Sequence, residues 1–233
     1  MIIEAKNINK YYGSTYALKD FSLGIPKGSS FALLGPNGAG KTTFLKALLD
    51  LTPVDSGEIT INGISSLSEK SRKGIGYLPE KFTFFDYYTV EGVLIFYGKM
   101  KGINKGLAEQ IEAVVLKTKI TELQQRKVKT LSKGQMQRLG IACMLMGDND
   151  LLLLDEPFTG LDPIGIKDLK EILRGLQVEG KTLLINSHIL SEVEQICDQM
   201  AILNKGELVV EGKITELAGD ASLEDFFYEK IKS

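Results

Sequence analysis

The chain has little cysteine, little histidine, no long apolar run and no long basic run, and each shortage narrows what it can be. Its two cysteines, Cys143 and Cys197, lie far apart and form no C-x-x-C. Each falls in an apolar helical pattern, so both read as reduced, buried thiols of a cytosolic protein. No apolar stretch approaches the roughly 18 residues of a membrane span. The opening Met1-Ile2-Ile3-Glu4-Ala5-Lys6 is no signal peptide. The expectation is a soluble chain whose work at a membrane would run through a partner. With a net charge of −2 and a pI near 5.7, no broad basic face is available for nucleic acid. Any anion site must therefore be local. No internal repeat or low-complexity segment stands out.

What is present is ordinary globular material. The 233 residues are 43% apolar and 25% charged, enough for one large domain or two small ones with a sizeable core. Residues 2–8 and 17–25 alternate like strands, and Pro26-Lys27-Gly28 marks a turn. Phe31–Leu34 reads as a buried strand and Thr43–Leu51 as a helix. Glu58–Gly63 alternates again and ends in a tight Asn62-Gly63 turn. From Val90 to Met146 the period becomes helical, with apolar sets at Val90–Met100, Ile111–Ile120 and Leu139–Met146. Strands return at Leu151–Leu154, Lys181–Ile185, Met200–Leu203 and Glu207–Val210. Helices separate them at Ile166–Leu176 and Leu190–Cys197, and a short amphipathic helix spans Leu223–Lys230. Strands alternating with helices predict an α/β fold with a mainly parallel sheet.

The most informative stretch is Gly35-Pro36-Asn37-Gly38-Ala39-Gly40-Lys41-Thr42-Thr43, which contains G-x-x-x-x-G-K-[ST] between a predicted strand and a predicted helix. Glycines let successive N–H groups turn inward as a nest for anionic oxygens. The helix behind it presents its unpaired N–H groups and positive dipole end to the same oxygens. Lys41 is placed to reach β- and γ-phosphates, and the Thr42 hydroxyl to ligate Mg²⁺. A second element follows the leucines at 151–154. Asp155 emerges at a strand end, where open α/β sheets bind ligands, and can hold Mg²⁺ with Thr42. Glu156, one residue on, can polarise a water for attack on a γ-phosphate. Alone, the pair also fits a helix start before Pro157.

Leu131-Ser132-Lys133-Gly134-Gln135 precedes another helix. Ser132 can cap it and Gly134 lets a phosphate approach, which makes a second anion site or an ordinary capped helix. His188, the single histidine, follows a strand and lands on the same sheet edge as Asp155. Asp162, within Thr159-Gly160-Leu161-Asp162-Pro163, suits a cap or a turn.

In this order the motifs resemble the nucleotide-binding subunit of an ABC transporter, over essentially the whole chain. The resemblance implies a P-loop NTPase fold of ABC type with a mainly parallel core, an N-terminal antiparallel β part and an inserted α-helical subdomain. Residues 1–88 and 151–233 would form the nucleotide-binding core of a single domain. Residues 89–150 would form the helical subdomain, ending in the signature helix. It implies ATP and Mg²⁺, and a head-to-tail pair of subunits. Each ATP would lie between one subunit's phosphate loop and the other's Ser132–Gln135. A homodimer is expected and a heterodimer left open. Tyr12 would stack on adenine, with Tyr11 a weaker candidate. His188 would contact the γ-phosphate, and Asp162 would work at the dimer interface.

Two positions depart from the commonest pattern. Lys133 stands where glycine is usual. Glu80, closing Ile75-Gly76-Tyr77-Leu78-Pro79-Glu80, stands where most members have a glutamine that senses Mg²⁺ and the attacking water. Glu80 can still ligate Mg²⁺, but its charge is costly near a γ-phosphate without metal. Both departures resemble a branch serving exporters of drugs, antibiotics, polysaccharides or ions. Phe82-Thr83-Phe84-Phe85-Asp86-Tyr87-Tyr88 would line the groove that receives a helix of a membrane permease subunit. The expected place is the cytoplasmic face of the membrane. A soluble relative acting on ribosomes, DNA or protein complexes would carry tandem domains or long insertions. A small-molecule kinase would leave the signature, the histidine and the aromatic segment without a role.

Overall fold

The structure, a computed structural model, describes residues 1–219 and 221–232. Two long strands open the chain, β1 (Ile3–Tyr12) and β2 (Thr15–Ile25), followed by β3 (Ser30–Leu34) and helix α1 (Lys41–Leu48). Strands β4 (Ser56–Ile61), β5 (Ile64–Ser65) and β6 (Ile75–Leu78) come next. A helical stretch holds α2 (Val90–Met100), α3 (Leu107–Lys117) and α4 (Lys133–Leu145). The chain then runs through β7 (Leu151–Asp155), α5 (Pro163–Val178), β8 (Thr182–Ser187) and α6 (Leu190–Glu194). It finishes with β9 (Gln199–Asn204), β10 (Glu207–Lys213), α7 (Ile214–Ala218) and α8 (Leu223–Lys232).

The larger sheet has the order β10-β9-β3-β8-β7-β6, parallel throughout except for the β10–β9 pair. The smaller sheet, β2-β1-β4-β5, is antiparallel. Leu151–Leu154 and Leu183–Ile185 are essentially fully buried, because helices or the second sheet cover both faces of the central strands. That explains why these strands read as continuous apolar runs and not as alternations. Burying each such leucine contributes about 1.5–3 kcal/mol.

Three apolar clusters result. One fills the space between the sheets around α1. A second lies on the opposite face under α5, α6 and α8 and includes Cys197. The third joins α2, α3 and α4 through Val90, Leu94, Val115 and Leu139, with Cys143 inside it. Both thiols are buried and free, and burial raises their pKa.

Some boundaries differ from the sequence reading. The first helix stops at Leu48 and not Leu51, because Asp50 takes a left-handed φ of 57°. The helix after His188 closes at Glu194, not Cys197. The edge strand β6 has no clear strand pattern, since a glycine interrupts it. A Cβ at Gly76 would stand 2.7 Å from the Met144 carbonyl oxygen, so α4 can cross this strand closely only over a glycine. In register, Asp155 lies beside Asn186 and Leu34 beside Ser187. Strands β3, β7 and β8 therefore deliver their carboxyl ends to one edge.

Candidate functional site

The loop from β3 to α1 is packed too tightly for a side chain at two of its glycines. A Cβ at Gly35 would lie 2.2 Å from the Leu203 carbonyl oxygen, and one at Gly40 would lie 2.2 Å from that of Ala17. Gly40, at φ 112°, starts α1 without a side-chain cap, and no acid sits in the first turn. No backbone acceptor meets the N–H groups of Lys41, Thr42 and Thr43 among the described residues. These open donors and the helix dipole make an anion cradle. Lys41 is buried, and its ammonium donates to the carbonyl oxygens of Gly35 at 2.6 Å and Pro36 at 3.2 Å. Desolvation lowers its pKa, against the opposing pull of Glu156, Asp155 and Glu80.

The acidic side of the site comes from β7. Asp155 is 2% exposed, and its Oδ1 accepts from the Thr42 hydroxyl at 3.3 Å and from Asn186 Nδ2 at 3.1 Å. Burial raises its pKa, while these two hydrogen bonds lower it. Glu156 adopts φ 51°, a strained conformation for a residue with a Cβ. Its N–H donates to the Asn186 carbonyl oxygen at 2.9 Å, and its own carbonyl accepts from Thr159 N–H at 3.2 Å. This turn sends the side chain to His188, whose Nδ1 lies 2.7 Å from Glu156 Oε2.

One cleft of about 470 Å³ joins these parts. The phosphate loop from Asn37 to Thr43 floors it, and Glu80, Glu156 and His188 flank it. Tyr12 closes the far end, half exposed at 54%, with the Lys10 ammonium 5.4 Å from its ring. Tyr11 does not line the cleft; its ring meets Tyr16 edge-on at 5.1 Å.

The donors around Thr42 are hydroxyl and carboxylate oxygens, the hard ligands that suit Mg²⁺. Among the described residues, no three His, Cys, Asp or Glu side chains converge as a cage. Thr42 and Asp155 are in contact and placed to ligate Mg²⁺. Glu80 is exposed on the cleft wall, with no hydrogen bond to either.

Ser132, Gly134 and Gln135 are not brought to this cleft. They form the start of α4 as a capping box: Gln135 N–H donates to Ser132 Oγ at 3.3 Å, and Ser132 N–H to Gln135 Oε1 at 3.0 Å. Asp162 caps α5, accepting from Gly165 N–H at 2.7 Å, with Pro163 in the first turn. The aromatic segment divides. Phe85 and Tyr87 are 64% and 67% exposed and stack 5.6 Å apart, while Phe82, Phe84 and Tyr88 are half-buried.

Residues 18–159, well over half of the chain, match the family described as ABC transporter. The chain belongs to this family. It is 36% identical over 230 residues to the lantibiotic transport ATP-binding protein SrtF of Streptococcus pyogenes, covering 99% of this chain and 97% of that one. It is 37% identical over 219 residues to the linearmycin resistance ATP-binding protein LnrL of Bacillus subtilis, covering 93% of this chain and 70% of that protein. Some relatives are longer, and the chain spans 62% of one of them. Among solved structures, the ATP binding subunit of an ABC transporter superposes with a TM-score of 0.87 at 27% identity, covering 99% of both chains. The fold is that of ABC ATPase domains.

Among described residues, no helix is long and apolar enough to cross a membrane. Sequence reasoning missed one member of the ABC site. Asn186 bonds the Asp155 side chain and the Glu156 main chain. Its signal is a polar residue following the apolar run Leu183–Ile185, legible only once β7 and β8 are in register.

Proposed function

We propose that this chain is the ATP-hydrolysing subunit of an ABC exporter, working as a head-to-tail pair beneath a separate membrane permease. The observation that carries the reading is the single cleft in which an uncapped helix N-terminus, a buried lysine, and the Glu156–His188 pair face one another. Tyr12 stacks on the base. Lys41 and the α1 N–H groups bind and orient the phosphates. Glu156 takes the proton of the attacking water, and His188 holds the Glu156 carboxylate and reaches the γ-phosphate. Mg²⁺, held by Thr42 and Asp155 with Glu80 nearby, would neutralise charge on the β- and γ-phosphates. Catalysis is thus mainly positioning and charge neutralisation.

The cleft is open on one side, and α4 starts with no acid in its first turn. A second copy, a homodimer in the simplest case, would bring its Ser132, Gly134 and Gln135 to the γ-phosphate. ATP then favours the closed pair, because only the γ-phosphate contacts both subunits. Residues 1–88 and 151–233 serve as the nucleotide core and 89–150 as the helical subdomain. The exposed rings of Phe85 and Tyr87 receive the permease on the cytoplasmic face of the membrane. The export direction rests on the relatives named above, together with Lys133 and Glu80.

Phosphate release by the purified chain with ATP and Mg²⁺, compared with Lys41→Ala, tests the activity. Release by the parent and none by the variant is expected, and equal rates would refute the site. Tagged Glu156→Gln protein drawn from detergent-solubilised membranes with ATP should elute with a polytopic membrane protein. Ribosomal or chromosomal partners instead would refute the transporter role.

A further inference from the structure

Asn186 is fully buried as the penultimate residue of β8. Its Nδ2 donates to Asp155 Oδ1 at 3.1 Å, and its carbonyl oxygen accepts the Glu156 N–H at 2.9 Å. Its side chain therefore holds the Asp155 carboxylate, and its main chain the backbone of Glu156. A carboxylate only accepts, so the amide must turn its nitrogen to Asp155 and its Oδ1 away. That Oδ1 is buried and has no hydrogen-bond partner. A buried acceptor left unpaired costs about 1–3 kcal/mol. The three residues before it, Leu183, Leu184 and Ile185, are apolar, and an apolar side chain here would avoid that cost. Asp155 is asymmetric as well. Thr42 and Asn186 both donate to Oδ1, and no donor among the described residues meets Oδ2.

We propose that Asn186 is a positioning residue for the hydrated divalent cation. Its Nδ2 fixes Asp155 through Oδ1 and leaves Oδ2 to the ion. Its Oδ1 accepts a hydrogen bond from a water of the ion's shell. Mg²⁺ dehydrates reluctantly and keeps several waters, so a carbonyl placed one water away recognises the ion as it arrives. The proposal rests on the nucleotide-site reading above.

The test titrates Mn²⁺ into the purified full chain with a non-hydrolysable ATP analogue, reading free Mn²⁺ by electron paramagnetic resonance. Parent, Asn186→Leu and Asn186→Ser are compared. A fluorescent ATP analogue in EDTA measures metal-free nucleotide binding in parallel. Outer partners of metal ligands typically change affinity by about 10–100-fold. Asn186→Leu should accordingly weaken Mn²⁺ at least about tenfold and leave metal-free nucleotide binding unchanged. Asn186→Ser, which keeps one hydroxyl, should lose less. Parent-like Mn²⁺ affinity in Asn186→Leu overturns the proposal, and so does equal weakening of metal-free binding. If Asn186→Leu does not fold, Asn186→Ser decides: weaker Mn²⁺ supports, parent-like affinity overturns. If the parent itself takes up no Mn²⁺ with the analogue, the underlying nucleotide reading fails instead.

Discussion

Replacing Glu156 by glutamine should remove a proton acceptor and little else. Glu156 sits at φ 51°, where a residue with a Cβ pays about 1–2 kcal/mol of strain. Glutamine bears the same strain, and the main-chain bonds to Asn186 and Thr159 do not involve the side chain. The contact to His188 Nδ1, 2.7 Å in the parent, also survives, since the glutamine carbonyl accepts from a ring N–H. Stability should therefore be unchanged. What disappears is basicity. A positioned general base contributes about 10²–10⁴ in rate. At 1.36 kcal/mol per decade this is about 2.7–5.4 kcal/mol of barrier. The expected result is a fall in phosphate-release turnover of that size. ATP affinity should stay close to the parent's, because the phosphate loop and Tyr12 are untouched. With ATP bound and not consumed, light scattering should show the paired species accumulating. Turnover close to the parent's would refute the role of Glu156. So would a loss of ATP affinity that matches the loss of turnover, which would make Glu156 a binding residue.

Asp162→Ala should lose the α5 cap, worth about 1 kcal/mol, and lower the melting temperature by about 2–4 °C for a chain of this size. Asp162→Asn keeps the cap and should melt like the parent, so any ATPase loss in that variant measures a contribution at the dimer interface. A Cβ at Gly140 would stand 2.5 Å from the Phe82 ring, so Gly140→Ala should cost about 1–3 kcal/mol in urea unfolding. Combining it with Phe82→Leu should recover part of the loss; a parent-like single variant would deny the close contact. Burial and the neighbouring Asp155 push the Tyr77 hydroxyl up to about 12. Between pH 10 and about 12 the unfolded chain releases a proton that the folded chain retains, so stability falls as pH rises through this window. Tyr77→Phe should flatten that fall in urea midpoints measured from pH 9 to 11, and an unchanged slope would refute the shift.

The sequence determined the elements whose cause is local. The glycine-rich loop, the four-leucine strand before Asp155 and the helical block between residues 90 and 146 each carry their own period or turn chemistry. The phosphate loop, Asp155, Glu156 and His188 were therefore legible as residues, and their family followed from their order. Tertiary structure decided which of them meet. The β7–β8 register, a long-range pairing that no local pattern encodes, set Asn186 against Asp155 and Glu156. Packing of α4 across β6 made a strand of a segment whose central glycine breaks the usual pattern. Packing against α2 and α4 split the aromatic segment into half-buried and exposed rings, which composition alone treats alike. Local sequence fixes dihedral preferences and apolar periodicity, whereas the approach of two strands distant in the chain depends on the whole core closing around them.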